Sequence, residues 1–214
     1  RETWDGRGKY KEPTAPDTSD LPELPEGWVW ATVDQILRSG LSNGRSIPDA
    51  VEGFPVLRLT ALKNGRVDLS ERKIGAWDAA AAEPFLIARG DILVSRGNGS
   101  KHLVGCGGLV EGKPDPVAYP DTIIRIPILL EYLSSGWFLQ LWNSPFMRQQ
   151  IQKAAKTTAG IYKINQTDIR YFYIPLPSCE EQEEIENLVN EHINKIDRLE
   201  TWCQTELARS AALR

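Results

Sequence analysis

The residues of this chain that could do chemistry are basic, hydroxyl and amide side chains gathered in a few short segments. The glycine-rich turn Gly97–Gly99 follows a predicted strand and is flanked by Arg96 and Lys101. Such a turn can bring backbone donors close to a phosphate. The segment from Lys153 to Lys163 places lysines beside small hydroxyl residues, which suits phosphate contacts on a flexible loop. The chemistry indicated is anion binding.

A second group of side chains is of the kind that reads base edges. Arginine pairs with guanine and asparagine with adenine in the major groove of DNA. The group consists of Ser42–Arg45, Arg58, Thr60, Lys63 and Asn64. For any one of these residues surface solvation is the better explanation, so only their clustering on loops around one sheet would favour DNA.

The two basic segments also have structural explanations, which the sequence leaves open. Gly97 and Gly99 fit a turn that needs positive φ angles. The segment ending at Lys163 fits a helix end, with Gly160 as the left-handed cap and lysines near the negative end of the helix dipole.

No set of residues in the sequence suits catalysis. The two histidines, His102 and His192, are far apart, and no Cys-x-x-Cys, Walker pattern, S-adenosylmethionine loop or Asn-Pro-Pro-Tyr segment is present. We therefore expect a non-enzymatic protein without catalytic residues, cofactors or metal.

Composition narrows the class of protein further. The 214 residues are 41% hydrophobic and 25% charged, which is ordinary for a globular protein. No apolar run approaches the ~20 residues that span a membrane, and the three scattered cysteines fit the reducing cytoplasm. Residues 38–170 carry 17 Lys and Arg against 12 Asp and Glu, whereas residues 176–214 carry 4 against 9. The mildly basic part is compatible with nucleic acid.

Three regions are predicted to position these side chains. Residues 1–24 form a proline-rich leader, residues 25–178 a globular domain, and residues 179–214 a long helix. Within the domain, short strands are expected at 28–33, 56–60, 91–95, 104–110, 122–126 and 169–174, with a hairpin-type turn at Asn64–Gly65. Helical segments are expected at 34–38, 79–83 and 132–156, the last with Pro145 at a boundary or kink. The fold class is α+β, with an irregular and mostly antiparallel sheet. Because Met147 is the only methionine, we expect a fragment or processed product.

The predicted helix begins with a capping box and continues as a one-sided apolar stripe. Ser178 can cap the helix while Glu181 reaches back to it. The coiled-coil interface expected from the 3–4 spacing comprises Ile185, Val189, His192, Ile196, Leu199 and Cys203. A helix folded back on its own domain remains the alternative.

Taken in order, several motifs resemble the specificity subunits of type I restriction–modification enzymes. They are Pro25–Trp28 before the first strand, Gly90–Arg96, and Ile174–Pro177 followed by Glu181, Gln182 and the long helix. The leader also resembles the segment that precedes the second recognition domain of such a subunit, so the resemblance covers nearly the whole chain.

The resemblance implies a target recognition domain, the carboxy-terminal one of two, followed by a spacer helix. It implies that the partners are double-stranded DNA, methyltransferase and restriction subunits, and a second recognition domain in the same longer chain or in a second copy. The DNA-contacting residues expected on this basis are Ser42, Asn43, Arg45, Arg58, Thr60, Lys63, Asn64, Arg66, Arg96, Asn98, Ser100, Lys101, Lys156, Thr157, Thr158, Tyr162 and Lys163.

Two other functions remain open at this point. The chain could be a recognition domain of a fused restriction–methylation polypeptide whose catalytic domains lie elsewhere. It could also be a coiled-coil interaction module that does not bind DNA. Salt-dependent DNA affinity separates the last possibility from the others.

Overall fold

A computed structural model describes residues 12–13 and 15–212. The predicted leader is therefore described only in part, and the last two residues of the predicted helix lie outside the described residues. The strands are β1 (Val29–Thr32), β2 (Ser42–Asn43), β3 (Asp49–Leu57), β4 (Leu62–Lys63), β5 (Arg66–Val67), β6 (Arg72–Gly75), β7 (Ile92–Ser95), β8 (Gly97–Asn98), β9 (Gly107–Leu109), β10 (Ile123–Ile126), β11 (Lys156–Thr158), β12 (Ile161–Lys163) and β13 (Tyr173–Leu176). The α-helices are α1 (Ala79–Ala82), α2 (Ser135–Asn143), α3 (Pro145–Ala154), α4 (Gln166–Arg170) and α5 (Cys179–Ala212), and short 3-10 helices cover Val33–Ile36, Leu59–Ala61 and Glu83–Phe85.

The strands form a central sheet and three small ones. The central sheet has six strands in the order β2-β10-β7-β9-β5-β4. Its pairs are antiparallel except for β5 and β9, which are parallel. The small sheets are β1-β13, β3-β6 and β11-β12-β8. The predicted class, α+β with a mostly antiparallel sheet and a long terminal helix, is confirmed.

Strand β7 lies at the centre of the core and is buried along its whole length. Because successive side chains of a strand point to opposite faces, its residues enter two clusters. Ile92 and Val94 pack with α2 and α3, whereas Leu93 packs with Tyr119 on the other face. Burial on both faces explains why β7 reads as an unbroken apolar run.

The predicted helical region 132–156 is two helices. Ser144 ends α2 and also caps α3, whose Met147 N–H donates to its Oγ at 3.4 Å. Pro145 takes the first position of α3, where its missing N–H has no helical partner to lose. The break predicted at Pro145 is confirmed.

Three strand predictions are wrong in part. Of the strand expected at 104–110, only Gly107–Leu109 forms. The strand expected at 169–174 begins only at Tyr173, because Ile169 lies in α4. That helix is capped by Asn165, whose Oδ1 accepts from the N–H of Asp168 at 2.9 Å. The strand expected at 56–60 ends at Leu57, where a 3-10 turn follows.

The first and last strands of the domain pair with each other, and α5 follows directly. In the β1–β13 register, Val29 lies opposite Leu176 and Thr32 opposite Tyr173. The predicted capping box is confirmed: Ser178 Oγ accepts from the N–H of Glu181 at 3.2 Å, and Glu181 Oε2 accepts from the N–H of Ser178 at 3.3 Å.

Candidate nucleic-acid interface

The residues expected to contact DNA fall into four segments: Ser42–Arg45, Arg96–Lys101, Lys156–Lys163 and Arg58–Arg66. The first two of these leave the central sheet at the same end. Strands β2 and β7 both run antiparallel to β10 between them, so their carboxyl ends lie side by side. Beyond β7, the N–H of Arg96 donates to Thr122 O at 2.8 Å. Beyond β2, the N–H of Gly44 donates to Ile123 O at 3.3 Å, and Arg45 follows it into solvent.

A β-hairpin brings the third segment to this end. Strands β11 and β12 pair with Lys156 opposite Lys163 and Thr157 opposite Tyr162. Ala159 and Gly160, with φ angles of 49° and 77°, form the two-residue turn, for which positive φ at both positions is typical. The expectation of a flexible loop is therefore wrong, and so is the alternative of a helix end capped by Gly160.

The hairpin is attached to the segment after β7, so these two segments share one surface. Strand β12 pairs with β8, Tyr162 opposite Asn98 and Lys163 opposite Gly97. The N–H of Ile164 donates to Arg96 O at 3.0 Å. A Cβ on Gly97 would lie 3.2 Å from Lys163 Cγ, so glycine permits the close approach of the two strands.

The two faces of this small sheet differ in character. Tyr162 is half-buried and packs against the core, which places the face that it shares with Asn98 towards the domain. Lys156, Ile161 and Lys163 are exposed on the other face, and the Ile161 side chain is 43% exposed. The outward face thus carries two ammonium groups and one bare aliphatic side chain.

Four exposed cations at this end of the sheet form no ion pair within the described residues. In residues 15–212, no carboxylate oxygen lies within the 4.0 Å of an ion pair from Arg45, Lys101, Lys156 or Lys163. Lys101 and both hairpin lysines are exposed. Charges that are not neutralised within the protein remain available to an external anion such as phosphate.

Several of the polar candidates are held by internal hydrogen bonds. Ser42 Oγ lies 2.8 Å from the Tyr119 hydroxyl, and Asn43 Oδ1 accepts from Gln166 Nε2 at 2.9 Å. Asn98 Oδ1 accepts from the N–H of Ser100 at 3.0 Å, which shapes the turn towards Lys101. These hydrogen bonds stabilise the loops. Only the donors and acceptors that they leave unused could bind a DNA base.

The guanidinium of Arg96 also has an internal partner. Its Nη1 donates to Asp121 O at 3.4 Å, and the side chain is half-buried. The bond ties the β7 end to the start of β10 and leaves the other guanidinium donors unengaged among the described residues.

The fourth segment, Arg58–Arg66, lies at the other edge of the central sheet. It forms β4 and β5, whereas Ser42 and Asn43 form β2 at the opposite edge. Five strand intervals separate these edges, about 24 Å at ~4.8 Å each. Lys63 and Asn64 are exposed there, and Asn64 adopts the positive φ of 51° expected for the predicted Asn-Gly turn.

Unlike the lysines of the hairpin, the arginines of the fourth segment are paired. Arg58 lies 3.9 Å from Asp49, and Arg66 Nε lies 3.5 Å from Glu111 Oε2. A hydrogen bond from Lys73 and the positive charges of Lys73 and Arg58 hold the pKa of Asp49 below its ordinary value.

The Thr60 hydroxyl is also engaged, donating to Glu71 Oε2 at 2.7 Å. Arg58, Thr60 and Arg66 thus all have internal partners, whereas Lys156 and Lys163 form no ion pair among the described residues.

The predicted coiled-coil residues divide into two groups along α5. Ile185 packs against the core of the domain, and Val189 is half-buried. His192 and Cys203 are exposed, as are Ile196 at 55% and Leu199 at 62%. The alternative of a helix folded back along its whole length is wrong, because every described side chain from 191 to 205 is exposed.

The attachment of α5 to the domain is not visible in the sequence pattern. Gln182 is 1% exposed, and Glu186 reaches the first turn of α2. A buried glutamine in a run of surface glutamates carries no periodic signal of its own. Ile161 lies inside the segment Lys156–Lys163 but was not among the residues predicted to contact DNA. Its exposure becomes clear only from the register of the hairpin.

Across residues 12–13 and 15–212, no group of three or more His, Cys, Asp or Glu side chains is arranged to hold a metal ion. No helix in the described part of the chain is long and apolar enough to cross a membrane.

Comparison with known proteins assigns the fold. Over 89% of its length, the chain superimposes on the crystal structure of the HsdS subunit from Thermoanaerobacter tengcongensis with a TM-score of 0.58 and 18% identity, covering 49% of that subunit. The fold is thus that of an HsdS subunit. No protein-family model matches the sequence.

Two sequence relatives agree with this fold. The chain is 30% identical over 175 residues to the type I restriction enzyme EcoKI specificity subunit of Escherichia coli K12, an alignment of 81% of this chain and 37% of that subunit. It is also 30% identical over 159 residues to the StySPI specificity subunit of Salmonella potsdam, with 74% and 34% covered. The chain spans about a third of the length of these curated relatives. Over about one domain of such a subunit, it is similar in sequence to the type I restriction enzyme specificity subunits.

Proposed function

We propose that this chain is one DNA target recognition domain of a type I restriction–modification specificity subunit, with residues 25–178 as the domain and α5 as the spacer helix. It contributes no catalytic group. It directs partner methyltransferase and restriction subunits to one half of a split DNA sequence, and it acts in the cytoplasm.

The observation that carries this proposal is the positive surface at one end of the central sheet. Arg45, Lys101, Lys156 and Lys163 belong to the segments at this end, and none of them forms an ion pair among the described residues. The same surface belongs to a chain whose relatives are named specificity subunits. An uncompensated positive face on such a domain fits the phosphate backbone, which dominates protein–DNA affinity.

In the proposed complex, the hairpin β11–β12 lies against the duplex with its outward face. Lys156 and Lys163 bind phosphates and fix the register. A two-stranded β-ribbon fits the major groove. Ile161, which lies on the same face as the lysines and nearer the turn, can then contact a thymine methyl group. Arg45 and the free donors of Asn43 and Arg96 are the side chains placed to reach base edges.

The helix α5 provides the second surface of the proposed function. Its exposed residues Ile196, Leu199 and Cys203 pair with the spacer helix of a second recognition domain, in the same longer chain or in a second copy. The separation of the two DNA half-sites then follows from the length of the paired helices.

Methylation with the cognate methyltransferase subunit on random-sequence DNA tests this function. We expect adenine methylation at one defined motif, and a palindromic motif if two copies of this chain pair. A complex that methylates without sequence preference would overturn the proposal. If the chain is instead part of a fused restriction–methylation polypeptide, methylation at a defined motif should appear only when the catalytic domains of that polypeptide are present.

A further inference from the structure

The long helix is attached to the domain by a polar joint, which consists of Gln182, Glu186 and Asn190 on α5 and the segment 132–140 opposite. Gln182 Oε1 accepts from the N–H of Ser134 at 3.1 Å, and its Nε2 donates to Tyr132 O at 2.9 Å and Pro177 O at 3.2 Å. Both amide hydrogens and the amide oxygen of a buried side chain are therefore used, which fixes its orientation.

Glu186 caps α2 from outside that helix. Its Oε2 accepts from the N–H of Trp137 at 3.1 Å and from the Ser134 hydroxyl. A carboxylate at a helix amino terminus is favoured by unpaired N–H groups and by the helix dipole. One turn further on, Gln140 Nε2 donates to Asn190 Oδ1 at 3.2 Å. The joint thus follows α5 for more than two turns.

Gly136 makes this approach possible. A Cβ at Gly136 would lie 2.0 Å from Glu186 Oε1 and 2.4 Å from its Cδ, so no larger residue fits while the carboxylate stays in place. The fit of the two helices therefore depends on one glycine and one glutamate, which form a matched pair.

The other end of α2 holds the loop that leads from the candidate DNA surface. Trp142 Nε1 donates to Gly105 O at 2.7 Å, and Asn143 exchanges two hydrogen bonds with Gly107, at 3.0 and 3.1 Å. Arg148 of α3 donates to His102 O at 3.0 Å and Val104 O at 2.7 Å. One short helix, nine residues or about 14 Å long, therefore contacts both α5 and the loop that carries Lys101.

We propose that Glu186 and Gln182 are positioning residues that hold α5 at one angle to the DNA-contacting surface. The inference rests on the proposed function for its purpose, since a fixed angle is what sets the separation of two half-sites. Beyond Asn190, α5 extends for 22 residues, about 33 Å. A 10° rotation at the joint would move the far end by about 6 Å, close to two base-pair steps of about 3.4 Å.

Distances between two spin labels test the angle without DNA or partners. Labels on Val51→Cys, a 97% exposed site, and on Arg198→Cys report on the domain and on the free helix. The background carries Cys106→Ser, Cys179→Ser and Cys203→Ser. We expect one narrow distance distribution for the native joint and a clearly broader one for Glu186→Ala or Gln182→Ala.

Glu183→Ala is the matched control, because Glu183 is exposed on the same turn of α5. Its distribution should stay narrow. If Glu186→Ala does not fold, Gly136→Ala displaces the same carboxylate while keeping its charge and should broaden the distribution in its place. An unchanged width in the folded joint variants would overturn the inference.

Methylation assays on DNA targets that differ by one base pair in half-site separation give the functional readout. With the cognate methyltransferase subunit, the native chain should select one separation, and Glu186→Ala should accept neighbouring ones. A folding defect alone would lower methylation at all separations equally. Sequence-specific methylation by the native chain with equally strict selection by the variant would overturn the inference, whereas unspecific methylation by the native chain would overturn the proposed function itself.

Discussion

Lys156 and Lys163 lie directly opposite each other across the β11–β12 hairpin, both exposed on its outward face. Side chains in such cross-strand positions have Cβ atoms about 4.5–5.5 Å apart, so like charges there destabilise a hairpin. No carboxylate in residues 15–212 forms an ion pair with either ammonium group. A bound phosphate between them would relieve this repulsion. The electrostatic repulsion in the free protein therefore favours anion binding at this site.

Replacing both lysines, as Lys156→Ala/Lys163→Ala, should weaken DNA binding at every sequence tested. Because each phosphate contact contributes about 0.9 to the slope of log K against log salt, the slope should fall by roughly two. The free energy of unfolding should stay the same or rise slightly, since the repulsion is removed. Fluorescence anisotropy titrations over a range of salt concentrations measure the slope.

Lys113→Ala is the control for the double variant. Lys113 is exposed and lies in the loop between β9 and β10, at the end of the sheet away from the hairpin. Its replacement should leave the salt slope unchanged. Equal slopes for the double variant and the native chain would exclude the hairpin lysines as phosphate contacts.

Gly97 and Gly99 offer a matched pair of substitutions beside the same loop. A side chain at Gly97 would press on Lys163 Cγ at 3.2 Å and Tyr162 O at 3.4 Å, whereas nothing lies within 4 Å of a Cβ at Gly99. Gly97→Val should therefore displace β12 and reduce DNA affinity, while Gly99→Val should have little effect. Hydrogen exchange of the Ile164 N–H, which bonds Arg96 O, measures the displacement directly. Equal protection in both variants would contradict this role of Gly97.

Local patterns in the sequence predicted the parts of the fold that depend on local physics. The capping box of Ser178 and Glu181 spans three residues, and the apolar run of β7 is visible because both of its faces are buried. The Asn64–Gly65 turn was recognised for the same reason, since its conformation depends on those two residues.

Tertiary contacts explain what the sequence did not predict. The residues of β11 are polar and do not alternate, and β12 gains its second partner only because β8 lies beside it. Arg66 and Lys156 were both predicted to contact DNA, and the sequence does not distinguish them. They differ because Arg66 forms an ion pair with Glu111, which is far from it along the chain. Helix α4 does have a local signal, because Asn165 with Asp168 three residues on forms a capping box.

The paired arginines of the fourth segment should respond differently from the hairpin lysines. Arg58→Ala and Arg66→Ala remove exposed ion pairs with Asp49 and Glu111, which contribute at most about 1 kcal/mol to the free energy of unfolding. Because their charges are already partly compensated, we expect each variant to change the salt slope less than Lys156→Ala does. The same anisotropy titrations decide this. A loss of slope equal to that of Lys156→Ala would extend the DNA surface to this edge of the sheet.

The exposed stripe on α5 should be required for association but not for folding. Ile196 and Leu199 are 55% and 62% exposed and lie beyond the polar joint. Burying two such side chains contributes about 1.5–3 kcal/mol each, so Ile196→Glu/Leu199→Glu should weaken pairing by more than about 100-fold. Analytical ultracentrifugation of the chain measures the pairing, and near-ultraviolet circular dichroism from the buried tryptophans reports the intact domain. Arg198→Glu is the control: it changes the net charge by the same amount, −2, but on the other side of the helix. It should leave the association unchanged. Equal association of both variants would show that the stripe is not the contact surface, and that α5 meets its partner through another face.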